Sequence, residues 1–372
     1  MRWFATTLFS ALLLSGGTAL AAQNVANTAQ KGSLLIWPFI NIAEGEDVII
    51  EISNDFTGPV QVECYYVNEK KDRVAFDFRL TGKQTVSWAV GSQDGDQVQP
   101  PPFPDGGTYI PGPTYAPVSG DQGALVCFAT NAAETSQIAF NHLIGTATVV
   151  DEETEADTTH LGYTFRYNAW SFVARNAAGL PEANGVLQGT PGRLDLTGNG
   201  AGTYDACPAY NIANFMPNGA TLGKLRTKAN ELSVVSCNQD LRQDPDLYLT
   251  KLRFTVWNSL ESSYRGAFIC VDSVNTVELD TESVNLRAGS NFEYDTLKTP
   301  NARFQVSGVA SPIQCPGSTN SALLGLLQSE VFLPTIPGQK QEVGSPTHGA
   351  GAAPGFVLWD PSDPVLHKPA KR

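Results

Sequence analysis

The residues with the most chemistry in their spacing run from Asp195 to Asp205, in Asp-Leu-Thr-Gly-Asn-Gly-Ala-Gly-Thr-Tyr-Asp. Asp195, Thr197, Asn199 and Thr203 place side-chain oxygens at positions 1, 3, 5 and 9, with Gly200 at position 6. That resembles the opening of a calcium loop, because a hard cation takes several oxygens from one tight turn. Where such a loop ends in a bidentate carboxylate, this one has Ala206, with Asp205 one place earlier. Asn199-Gly200 also suits a plain hairpin turn. Ca2+ is therefore the one cofactor for which the sequence offers ligands, and the plain turn is the reading it competes with. Asp94-Gly95-Asp96 is a weaker pattern of the same kind.

A second set of residues could bind without reacting. Phe103, Tyr109 and Tyr115 sit in a Pro/Gly-rich stretch, residues 91–123, and would offer stacking faces to a sugar or peptide. Trp37, Trp88, Trp170, Trp257 and Trp359 could include a carbohydrate platform, although the strand positions of Trp88 and Trp257 read as inward. Signatures of catalysis are missing. The chain has no G-x-S-x-G elbow and no H-E-x-x-H. It has four histidines, and His142, in the apolar run HLIGTATVV, reads as structural rather than as a general base. Glu152, Glu153 and Glu155 read as a solvated acidic loop. No catalytic residue is assigned.

These residues need a frame, and the cysteines outline it. Residues 1–21 read as a secretory signal peptide: Arg2, an apolar core through Leu14, then Ala19-Leu20-Ala21. Export makes disulfides durable. Six cysteines allow 15 connectivities, and a repeat narrows them. Val48–Val67, VIIEISNDFTGPVQVECYYV, matches Leu252–Val271, LRFTVWNSLESSYRGAFICV, with Asn54 over Asn258 and Cys64 over Cys270. Each copy reads as a hairpin with a period of two, Val48, Ile50 and Ile52 in one and Leu252, Phe254 and Val256 in the other. A cysteine follows each, which predicts Cys64–Cys127 and Cys270–Cys315, and by remainder Cys207–Cys237.

Several further strands are expected. Lys31–Ile42 is nearly all apolar, and Pro38 makes it an edge strand or a bulged one, open to pairing with another subunit. The change of parity from Tyr163, Phe165 and Tyr167 to Trp170 and Phe172 suggests a bulge. Val186-Leu187 and Arg193–Leu196 suggest another hairpin.

Together these predict an all-β chain of two tandem antiparallel, immunoglobulin-like β-sandwich domains, each stapled by a disulfide. The expected divisions are signal 1–21, domain one 22–221, domain two 222–333 and a Pro/Gly-rich, loosely docked tail 334–372. The net charge of −13 repels phosphate backbones and anionic lipid, so nucleic acid is not an expected partner; no segment after the signal is long and apolar enough to span a bilayer, so membrane insertion is not expected either. The functional expectation is an exported, non-catalytic structural or interaction protein at the cell surface, outside the cell or in the periplasm. It would contact a protein or glycan and could self-assemble. A carbohydrate-binding or carbohydrate-active protein and a calcium-dependent adhesin are the alternatives.

Overall fold

A computed structural model describes residues 24–42, 46–68, 73–92, 122–151, 164–176, 186–189, 191–198, 200–240, 249–280, 289–333, 340–353 and 355–358. The described chain is almost all β, with one 3-10 turn and one single-turn helix, Tyr294–Leu297. Among the described residues no helix is long and apolar enough to cross a membrane.

Apart from the short strand Gln137–Ala139, nine strands come first: β1 (Leu34–Asn41), β2 (Glu46–Asn54), β3 (Val60–Asn68), β4 (Arg73–Leu80), β5 (Thr85–Ala89), β6 (Gln122–Thr130), β7 (Leu143–Asp151), β8 (Thr164–Asn168) and β9 (Trp170–Phe172). They form one sheet in the order β9-β1-β6-β3-β4 and another in the order β5-β2-β7-β8. Alternation decides what each sheet buries. Val48, Ile50 and Ile52 of β2 share one core with Trp37 of β1 and Val62 and Tyr66 of β3. Gly145 keeps room there for Trp37, since a Cβ would come within 2.3 Å of the indole ring. The other face of the first sheet is buried too, with Ile36, Tyr65 and Phe128 packed against Val235, Cys237 and Leu324. Burial on both faces is why β1 and β6 read as nearly continuous apolar runs, while β3 buries Gln61 and Glu63 among its apolar residues.

Eight strands complete the frame: β10 (Cys207–Phe215), β11 (Leu225–Ser236), β12 (Thr250–Asn258), β13 (Ser263–Val271), β14 (Ala302–Val309), β15 (Leu323–Phe332), β16 (Lys340–Pro346) and β17 (His348–Ala353). One sheet runs β13-β12-β14-β10-β17, and another runs β11-β15-β16 with Val274–Glu278 added on β11. Phe254 and Phe304 from the first of these share a core with Leu232 and Leu323 from the second. Phe292 joins them, with its ring centroid 5.3 Å from that of Phe254 and 5.7 Å from that of Phe215. Each buried ring contributes about 1.5–3 kcal/mol.

All six cysteines are bonded, as Cys64–Cys127, Cys207–Cys237 and Cys270–Cys315, the expected pairs. Cys64 and Cys127 face each other across the β3–β6 ladder.

Strand pairing differs from the sequence reading at several points. Only the second copy of the repeat is a hairpin, β12 with β13. In the first copy β2 and β3 lie in different sheets, and the turn between them is a corner. Asn54 holds that corner, donating from Nδ2 to Gly58 O at 2.8 Å and to Thr81 O at 2.9 Å. β1 is not an edge, because it pairs with β6 on one side and β9 on the other, although its register does break around Pro38. The parity switch at Ala169 is a crossing between sheets: β8 belongs to one and β9 to the other. Val186–Gly189 and Arg193–Leu196 do not pair together; the first joins Gln137–Ala139 and the second Gly355–Leu358.

Pairing also crosses the expected boundary at residue 222, since β10 lies beside β14. The segment expected to trail as a tail instead supplies β16, which pairs with β15, and β17, which pairs with β10. Gly344 of β16 lies against the Phe165 ring, where any Cβ would clash at 2.1 Å.

Candidate functional site

At the end of β12 the strand alternation that buries Leu252, Phe254 and Val256 turns Trp257 to the opposite side, with Arg253 and Thr255. The inward position expected for Trp257 is therefore corrected. Trp88, by contrast, is buried and donates from Nε1 to Tyr66 Oη at 2.7 Å. Arg303 of β14 stands opposite Trp257 in the ladder, and its Cζ lies 5.0 Å from the indole centroid. An exposed cation–π contact of this kind is worth about 0.5–1 kcal/mol, enough to bias the rotamers of both side chains.

The turn after Trp257 is held by Asn258, which is buried. Its Oδ1 accepts from the N–H groups of Leu260 at 3.1 Å and Ser262 at 3.0 Å, and its Nδ2 donates to Leu297 O at 3.0 Å. Glu261 closes the turn in the left-handed region, φ 63°. Between this turn and β16 lies an open cleft of about 1170 Å3. Trp257, Phe215 and Val343 supply its apolar surface, and Asn214, Asn301 and Arg303 supply polar groups. Val343 is 47% exposed there. Aromatic faces interleaved with amides, hydroxyls and a guanidinium hold a ligand through stacking and hydrogen bonds.

The calcium candidates are only partly brought together. Asp195 Oδ1 accepts from Thr197 Oγ1 at 2.7 Å and Thr197 N at 3.1 Å, and Thr203 Oγ1 donates to Gly200 O at 2.8 Å. Asp205 points the other way, into the core, with no exposed surface. Its Oδ1 accepts from Arg175 Nε at 2.6 Å and also from Nη2. Its Oδ2 accepts from Gln30 Nε2 at 2.8 Å and Val173 N at 3.0 Å. Among the described residues no three His, Cys, Asp or Glu side chains cluster as metal ligands. Asn199, Phe103, Tyr109, Tyr115, Trp359 and the Asp94–Asp96 pattern lie outside the described residues.

His142 has a partner: its Nδ1 lies 2.7 Å from Asp55 Oδ1, and Lys31 Nζ reaches the other carboxylate oxygen. Burial pushes the Asp55 carboxyl up, but hydrogen bonds and charge from Lys31 and His142 outweigh it and hold the group below the usual carboxylate range. The Phe56 and Phe140 rings pack beside the imidazole, at 4.9 and 5.4 Å.

No family model matches the chain, and no curated protein matches it. A solved structure that aligns with it is that of the CupB6 tip adhesin from Pseudomonas aeruginosa. The alignment has 8% identity and a TM-score of 0.13 over 88% of this chain and 95% of that one. At that score the two share extent and little geometry.

Proposed function

We propose that the protein is an exported, non-catalytic interaction module that binds a partner outside the cytoplasm, at the cell surface or beyond it. Three disulfides in a nearly all-β chain support export, since such bonds persist in oxidising compartments. Its architecture, in this reading, is two tandem immunoglobulin-like β-sandwiches, one from β1–β8 and one from β10–β17. What favours sandwiches over a propeller-like grouping of small sheets is that each pair of sheets closes around a single shared core. The likeness to immunoglobulin domains lies in layering alone. Cys64–Cys127 bridges neighbouring strands of one sheet, whereas the antibody bridge joins two sheets.

The observation that carries the binding reading is the Trp257 cleft, where a tryptophan held by Arg303 lies among amides and hydroxyls. It also gives the carbohydrate reading its footing, because an indole face with nearby hydrogen-bonding groups is what a sugar ring needs. The test is binding of the full mature chain to a glycan array and to surface-protein extracts. Trp257→Ala is expected to weaken capture by about thirtyfold, the loss of one aromatic hot spot. Binding unchanged in Trp257→Ala, yet lost in Tyr109→Ala or Tyr115→Ala, would move the site to the 91–123 segment.

A further inference from the structure

The outer face of the β13-β12-β14 sheet carries one cation in each of four successive rows. Lys251 stands in the first, across from Val309, and Arg253 in the second, across from Ser307. The third row pairs Thr255 with Arg265, and the fourth pairs Trp257 with Arg303. Gly266, at φ 100°, sits at the register break between β12 and β13. Rows on one face repeat every two residues, about 7 Å apart along the strands; Lys251 and Arg253 share β12, and Arg265 and Arg303 stand on the strands to either side of it. The four rows, with Gln305, Phe268, Cys270 and Ser263 completing them, contain no carboxylate. Among the described residues neither the Arg253 nor the Arg265 guanidinium has a carboxylate partner. Burial, and then the neighbouring Arg253 charge, hold the Lys251 ammonium below the ordinary lysine range. A hollow of about 350 Å3 opens on this face, lined by Lys251, Arg253 and Arg265 with Gln305, Ser307 and Gln314.

Such a run of unneutralised positive charge stands out on a chain of net charge −13. We propose that this face binds an acidic glycan, its carboxylate or sulfate groups taken by Lys251, Arg253, Arg265 and Arg303. The proposal rests on the binding-module reading and supplies a partner class for it. Spacing selects the occupant. A nucleic-acid duplex carries one charge per about 1.7 Å, far denser than rows about 7 Å apart. A glycan that carries acidic groups along a hydroxyl-rich chain suits cations set in rows about 7 Å apart and interleaved with Gln305, Ser307 and Thr255.

The experiment measures binding of the full mature chain to immobilised heparin, alginate, neutral dextran and duplex DNA across a salt series. Heparin or alginate is expected to bind with an affinity that falls steeply with salt, and dextran to bind far more weakly. The double variant R253Q/R265Q should lose about tenfold or more per guanidinium, the worth of a charge-assisted hydrogen bond. Lys228→Gln, whose ammonium pairs with Glu330 on the other sheet, should change nothing. Thermal unfolding of the double variant checks that the fold is kept. Failure of both acidic polymers to bind, affinity unaltered in R253Q/R265Q, or DNA bound more tightly than either glycan would each overturn the proposal. Trp257→Ala keeps the two readings apart. If surface-partner capture depends on Trp257 while acidic glycans do not bind, only the glycan inference falls.

Discussion

Asp205→Ala offers the sharpest test of how the first half of the chain is held together. The carboxylate has no exposed surface and accepts four hydrogen bonds, two of them from an Arg175 that is 8% exposed. Truncating it takes away the carboxylate oxygen that accepts from Arg175 Nε and Nη2 and strips Gln30 Nε2 and Val173 N of an acceptor. Removing one partner of a buried ion pair costs about 3–5 kcal/mol. For a cooperative unit of about 150–250 residues each kcal/mol shifts the melting temperature by about 2–4 °C, so the fall should be about 6–20 °C. The assay is thermal unfolding by circular dichroism at neutral pH, run with and without a chelator and with added Ca2+. Arg175→Met combined with Asp205→Leu should recover the part of the loss that comes from the charge left behind, but not the part that comes from the lost acceptor for Gln30 and Val173. A fall of less than about 2 °C in Asp205→Ala would refute the pairing as a stabilising contact. A wild-type melting temperature lowered by chelator would refute it differently, by giving Asp205 or its neighbours to a metal.

Two further outcomes follow from the packing. Gly145→Val should cost at least about 1–3 kcal/mol of stability, read as a lower midpoint of urea unfolding, since its Cβ would press within 2.3 Å of the Trp37 ring and 2.9 Å of Leu35; an unaltered midpoint would mean the core yields more than its packing implies. Glu231→Gln should raise stability at neutral pH. Burial first, and then the charges of Glu278 and Glu330, push the Glu231 carboxyl up despite Lys228. A carboxyl raised in the folded state costs stability once pH passes that raised value, and the cost vanishes below the unfolded value of about 4.3. The gain should therefore be present near pH 7 and absent below about pH 4, read from melting temperatures across that range.

Period-two patterns made much of the frame legible. Val48, Ile50 and Ile52, and likewise Leu252, Phe254 and Val256, face inward as their spacing implies. Cysteine order was legible from the matching positions of Cys64 and Cys270, each followed by one later cysteine, although Cys64 and Cys127 lie in mid-strand and not at strand ends. Partnering was not. Nothing in the residues of Arg193–Leu196 says that their neighbour lies at Gly355–Leu358, because a strand's own pattern encodes its faces and not the chain segment beside it. The corner at Asn54 and the hairpin turn at Asn258 look alike for the same reason. In both, the asparagine Oδ1 accepts from the backbone N–H two residues on, a local device that does not dictate whether the next strand returns to the same sheet. Trp257 was legible and missed: it shares parity with Arg253 and Thr255, which already placed it outward. Asp205 was not, since its partner Arg175 lies 30 residues away in a stretch with no pattern linking the two.

The placement of Trp257 and the four cations on a sheet face also bears on how such a site would work. Their strands are pinned from below by Phe254, Phe304 and Phe292, whose rings pack edge to face. The hairpin is tied at its far end by Cys270–Cys315. Outward side chains on strands fixed this way keep their pitch without a ligand, so binding orders side-chain tips and leaves the backbone unchanged. That lowers the entropy a ligand must offset and favours a repeating partner whose own spacing matches the rows. Substitutions under this face, such as Phe292→Ala, should therefore weaken binding through lost pitch even though they touch no ligand.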